Sequence, residues 1–176
     1  DEVLEGINQL PSDLLKKGPV LDATIGGGGH AASILTKFPN IDLIGLDQDP
    51  LAISAASQHL KSFDSKIQII QSNFSDFIPE QKLSFILADL GVSSPQIDQA
   101  ERGFSFRLDG PLDMRMNTNN GKKVNELIEE INEKDLADLI YQYGEERFSR
   151  RIAKRIKQDL SSKGPYAGTV SLAYAI

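Results

Sequence analysis

The stretch VLDATIGGGGH, Val20 to His30, constrains this chain more than any other feature: an apolar run that ends in four consecutive glycines. Glycine loses more backbone freedom on folding than any other residue, so four together imply a tight turn or a close approach that side chains would block. The run also sits at the start of a repeating pattern. VLDATI reads as a buried strand, and HAASILTKF as a short helix ended by Pro39-Asn40. IDLIGLD is a second strand, after which Asp49 supplies a helix cap and Pro50 a first-turn proline for a helix through Leu60. KIQIIQ and KLSFILADL are a third and a fourth strand. Strands alternating with helices of about ten residues predict βαβ units and a parallel sheet with helices on both faces. The expected fold is therefore α/β, with a Rossmann-like core over residues 1–100.

Beyond that core the pattern changes. The segment from Gly91 to Lys123 is rich in Ser, Pro, Gly, Asp and Arg and has little apolar periodicity. Loops longer than about 12–15 residues in compact domains are usually functional or disordered. From Val124 the chain reads as three helices: VNELIEEI, EKDLADLIYQYG capped by Asn132 and stopped at Gly144, and EERFSRRIAKRIKQDLSSKG ended by Gly164-Pro165. Residues 101–176 are thus expected to form a substrate loop and a helical subdomain. The opening DEVLEGINQL reads as an amphipathic helix already under way, and both ends are expected to be cut from a longer protein.

Composition narrows the chemistry. With no cysteine among 176 residues, a disulfide framework and a thiolate zinc site are excluded, and two histidines, His30 and His59, are too few for a histidine metal cluster. No apolar run approaches the ~18 residues of a membrane span, and no signal peptide opens the chain, which suggests a cytoplasmic protein. The formal net charge of −6 means that any nucleic-acid contact must come from a local basic face.

The glycines follow a strand and open a helix, and Gly26-x-Gly28-x-x-Ala31 satisfies the G-x-G-x-x-G/A nucleotide-binding pattern. Asp47 ends the second strand near the spacing at which an acid accepts ribose hydroxyls. Asp22 ends the first strand and Asp89 the fourth, so three acids rim one crevice at the carboxyl edge of the sheet. Carboxylates suit a cationic ligand better than a pyrophosphate, which favours S-adenosylmethionine, with its sulfonium and ammonium groups, over a nicotinamide cofactor. Phe74 is placed either to face an adenine or to fill the core. His30 either completes the loop or is a surface residue, and His59, late in a helix, reads as structural or solvated.

These residues carry a resemblance. LDATIGGGGH, GLDQDP, ILADLGVSSPQIDQAERGFSFRLDGPLDMRMN and YGEERFSRRIAKRI together resemble the ribosomal RNA small-subunit methyltransferase H family (RsmH, MraW) over nearly the whole chain. The resemblance implies a Rossmann-like methyltransferase core with an inserted helical domain. It also implies S-adenosylmethionine-dependent methylation of the N4 amine of a cytidine in the decoding region of 16S rRNA. It assigns cofactor contacts to Gly28, Gly29, His30, Asp47, Phe74, Asp89 and Gln96, with no metal. Two departures stand out: Gly27 stands where the family loop often carries a larger residue, and later strands of the family, with a segment like SFHSLEDR, are not in this sequence.

For the transfer step, Asp89 is the candidate proton acceptor, with Ser93, Ser94 or a backbone carbonyl as alternatives. An extruded base is commonly stacked on aromatic side chains. Arg102, Phe104, Phe106, Arg107 and Arg115 are the candidate clamp for a cytidine and its phosphates. Alternatively, the phenylalanines anchor the loop and the arginines pair with Asp109 and Asp113. In the last helix, Phe148, Ile152 and Ile156 predict an apolar stripe, opposite Arg147, Arg150, Arg151, Lys154 and Lys157, with Arg155 flanking it. That basic face is either solvated or phosphate-facing. Two other functions stay open: a nicotinamide-dependent oxidoreductase, and a non-catalytic fragment that binds cofactor or RNA. The expected partner is 16S rRNA or the small ribosomal subunit.

Overall fold

The computed structural model describes residues 2–11 and 13–176. The chain divides into two compact units, Asp1–Gly91 with Met116–Thr118, and Val92–Arg115 with Asn119–Ile176.

The first unit is an α/β layer. Helix α1 (Glu2–Asn8) precedes four strands, β1 (Val20–Asp22), β2 (Leu43–Asp47), β3 (Ile67–Gln71) and β4 (Phe85–Leu87). Helix α2 (Gly29–Lys37) connects β1 to β2, and α3 (Pro50–His59) connects β2 to β3. The strand order is β3-β2-β1-β4 and every pairing is parallel. Leu21 lies opposite Ile44 on one side and Ile86 on the other, so β1 is central and all three of its residues are buried. Val20, Leu43, Ile34, Leu35, Ala56 and Leu60 form the main core with Ile7 of α1, and Leu21, Ala23 and Leu46 form a smaller cluster. This is the α/β, Rossmann-like arrangement that the alternating pattern predicts.

β1 is shorter than the apolar run VLDATI. It ends at Asp22, although the following Ala23 and Ile25 still donate their N–H groups to Leu87 O and Leu46 O. Those two bonds tie the loop across both neighbouring strands.

The second unit is helical. The segment 91–123 is less irregular than its composition predicts: it holds α4 (Ser94–Asp98) and a 3₁₀ turn (Ala100–Arg102). Ser93 and Gln96 cap α4 reciprocally, a signal hidden by the short run that follows it. Helices α5 (Val124–Glu130), α6 (Glu133–Gly144), α7 (Ser149–Lys163) and α8 (Thr169–Ala173) follow. Asn132 caps α6 by accepting from Asp135 N, as its sequence position predicts. α7 starts at Ser149 rather than at Glu145, because Glu145 adopts a left-handed conformation and Glu146 turns back to accept from Phe148 N. Leu112, Ile128, Leu136, Ala137, Ala153 and Ile156 form the core of this unit.

Candidate functional site

The four glycines do different jobs. Gly26 and Gly28 have positive φ, 52° and 84°, a region that favours glycine. A Cβ on Gly28 would also lie 2.8 Å from Leu60 Cδ1. Neither constraint applies to Gly27 or Gly29: a Cβ on either would meet nothing within 4 Å. The turn therefore needs two of the glycines, and the other two keep an open space bare. Gly28 also precedes α2 as an N-cap with no side-chain cap, so the first N–H groups of that helix are left for other acceptors.

Asp47, at the end of β2, fixes the loop from beneath. Its Oδ2 accepts from Gly26 N at 3.0 Å and its Oδ1 from Asp49 N at 2.9 Å. Each carboxylate oxygen keeps a second lone pair for an outside donor. From the other side, His59 Nδ1 donates to Gly27 O at 2.9 Å.

Asp22 is 1% exposed at the end of the central strand. Its Oδ1 accepts from Thr24 N, and its Oδ2 has no partner among the described residues. Burial is the largest cause of its raised pKa, pushed to about 6; the Thr24 hydrogen bond and nearby His30 oppose the rise, while Asp47 and Asp89 add to it. A buried carboxylate with an orphaned oxygen is a poor neighbour for a phosphate and a good one for a cation.

Asp89 follows β4. Thr24 Oγ1 accepts from its backbone N–H at 2.8 Å, while its side chain is 70% exposed and lies 3.6 Å from His30 Nε2. The loop, Asp22, Asp47 and Asp89 are thus held at one edge of the sheet by direct hydrogen bonds. Phe74 follows β3, where Asn73 Oδ1 accepts from Ser75 N; its ring is 49% exposed and so is not a core side chain. Open backbone at a helix start, a strand-end acid for hydroxyls and acids for a positive charge together match an adenosyl cofactor that carries a cationic group.

Comparison with known proteins settles the family. The family model described as MraW methylase matches residues 1–176. The chain belongs to the MraW methylase family. It is 66% identical over 176 residues to the ribosomal RNA small subunit methyltransferase H of Prochlorococcus marinus strain SARG, covering 100% of this chain and 58% of that relative. Proteins of the same name from P. marinus strain MIT 9211 and Synechococcus sp. strain WH7803 are 59% and 57% identical, with 100% of this chain and 58% of each relative covered. The chain spans a little under three-fifths of the length of these relatives.

The remaining candidate residues lie in the second unit. Gln96 is buried, and its Oε1 accepts from Ser93 N at 3.0 Å within α4. Arg102 is 4% exposed; its Nη2 donates to Arg115 O at 3.0 Å and its guanidinium lies 5.9 Å from the Phe104 ring centre. Arg115 grips Asp113 through Nε at 2.7 Å and Nη2 at 2.8 Å, and the Arg115 guanidinium holds the Asp113 carboxyl below its ordinary range. Arg102 and Arg115 therefore brace the loop from inside. Phe106 and Arg107, by contrast, stand at the surface. Asp109 is engaged elsewhere, accepting from Val170 N at the start of α8.

Thr24 and His59 matter to the site and have no sequence signature. Thr24 meets Asp89 across 65 positions and His59 meets Gly27 across 32, distances over which no local pattern operates. Asp22, legible as a strand-end acid, is distinguished only by its burial. Among the described residues, no group of three or more His, Asp or Glu is arranged to hold a metal, and no helix is long and apolar enough to cross a membrane.

Proposed function

We propose that the chain is the S-adenosylmethionine-binding and RNA-facing part of an enzyme that methylates the N4 amine of a cytidine in the decoding region of 16S rRNA. The observation that carries this reading is the pairing of a bare glycine edge with the buried, half-satisfied Asp22. The relatives carry names of small-subunit rRNA methyltransferases, in agreement with it. Gly28, Gly29 and His30 would hold the cofactor along the start of α2, Asp47 its ribose hydroxyls and Phe74 one face of its adenine. Asp22 and Asp89 would face its cationic end, to which the family resemblance adds Gln96. When bound, the cofactor supplies an electrophilic methyl group on a sulfonium.

Asp89, exposed beyond β4, would take the proton. The cytosine amine is a weak nucleophile because its lone pair is delocalised into the ring. An exposed carboxylate that accepts an N–H from that amine orients the nitrogen and takes the proton released as the new N–C bond forms. Phe104, Phe106 and Arg107 would contact the base and its phosphates, with Arg102 and Arg115 holding their loop in shape.

Calorimetric titration with S-adenosylmethionine tests the cofactor part. Wild type should bind, and Asp47→Ala should bind at least about tenfold more weakly, because both the ribose contact and the brace on Gly26 are lost. Binding of NAD in place of S-adenosylmethionine would overturn the reading. Transfer of a labelled methyl group to small subunits, abolished or strongly slowed by Asp89→Ala, tests the reaction in the full-length enzyme.

A further inference from the structure

The solvent face of α7 and its approach form a separate basic surface. Arg147, Arg150, Arg151 and Lys154 are spaced so that they share one side of the helix, opposite the buried Ser149, Ala153 and Ile156. All four are exposed, and none makes an ion pair within 4 Å among the described residues. This differs from Arg155, which is paired with Asp159, and from Lys157, whose ammonium donates to Ile128 O and Glu129 O.

Sequence spacing predicts that Phe148 extends the apolar stripe, but its ring is 45% exposed. The guanidinium carbons of Arg147 and Arg151 lie 4.7 and 5.3 Å from its centroid. Tyr141 and Tyr143, at the C-terminal end of α6, are also exposed. Two arginines oriented by an aromatic ring, with further aromatics nearby in the chain, offer the flat surfaces on which unstacked bases lie.

The placement is unfavourable for the helix itself. The first turn of α7 contains no acid and two arginines, at the end where the helix dipole already places positive charge. An arriving polyanion relieves that repulsion. In a chain of net charge −6, this concentration of exposed cations is local.

We propose that Arg147, Phe148, Arg150, Arg151 and Lys154, all on the second unit, form a docking platform for single-stranded RNA that holds the strand by its backbone and by stacking. The identity of the strand as substrate rests on the function proposed above; the platform itself does not. Charge alone would also suit an acidic protein surface, but the arginine-clasped aromatic favours bases.

The test is fluorescence anisotropy of the chain with labelled, unstructured oligocytidylate over a range of salt concentrations, with each variant checked by thermal melting. Phe148→Leu should weaken binding by about five- to 100-fold through lost stacking. The double variant R150Q/K154Q should also weaken it and reduce the log–log salt slope by about 1–2. R150Q/K154Q should leave S-adenosylmethionine binding unchanged, and the control K122Q/K123Q should bind RNA as wild type does. Wild-type affinity in folded Phe148→Leu, or equally tight binding of polyglutamate, would overturn the proposal. RNA binding that is lost in these variants while S-adenosylmethionine fails to bind at all would support the platform and refute the cofactor site.

Discussion

Gly28 and Gly29 are adjacent and chemically identical, yet substitution should separate them. Alanine at Gly28 must adopt φ near 84° and approach Leu60, so Gly28→Ala should cost about 2–3 kcal/mol in a urea melt. Gly29→Ala has open space and negative φ, so its stability should stay within about 1 kcal/mol of wild type while S-adenosylmethionine affinity falls. Asp22 yields a pH prediction. Its pKa of about 6 in the fold exceeds the ordinary 3.8, so the native state holds a proton that the unfolded chain releases. The Asp22 contribution to stability is therefore fullest below pH 3.8 and is lost as pH rises to about 6, costing on the order of 3 kcal/mol at neutral pH. Thermal melts should show Asp22→Asn more stable than wild type at pH 7, with the difference shrinking toward pH 4. A cation beside Asp22 favours the carboxylate, so cofactor binding near pH 6 should release protons, and calorimetry in buffers of different ionisation enthalpy would detect this.

At the scale of elements, local capping made α3 and α6 legible, although the equally local cap of α4 was hidden by the shortness of its helix. Asp49 accepting from Leu51 N and Asn132 accepting from Asp135 N are contacts within three residues, and sequence places both. Lys157 shows the opposite case. It reads as one more cation on a solvated face, yet its ammonium closes the C-terminal end of α5 by taking the carbonyls of Ile128 and Glu129 at 2.5 and 3.1 Å. Those carbonyls have no partner within α5, and a cation there also suits the helix dipole. Lys157→Met keeps the stem and removes both bonds, so it should lower stability by about 1–3 kcal/mol in chemical denaturation, whereas Lys154→Met should change it by less than about 0.5 kcal/mol. Helix α7 thus divides its basic residues: some hold the fold together, and others have no ion-pair partner among the described residues.

At the scale of the whole molecule, the sheet order leaves β4 with a single neighbour among the described residues, and Ile86 on it is 59% exposed. An apolar edge strand is a template for pairing with another chain. Ile86→Lys should therefore reduce self-association of this chain, seen by light scattering, with little change in its melting temperature. The alternation of strands and helices, the strand-end positions of Asp22 and Asp47, and the glycine loop were readable from the amino-acid sequence, whereas β4 stops at Leu87, two residues short of Asp89. Each depends on periodicity or on spacing within one βαβ unit, which short-range sterics and hydrogen bonding enforce. The sequence could not distinguish the glycines that make the turn from those that keep space open, because that depends on the positive φ at Gly26 and Gly28 and on where Leu60 lies. Nor could it show that Arg102 is buried while Arg150 is exposed, or that Phe148 leaves the core stripe to be clasped by two arginines. Burial and pairing are set by residues distant in the chain. Only the tertiary structure decided which of these charges supports the fold and which faces solvent.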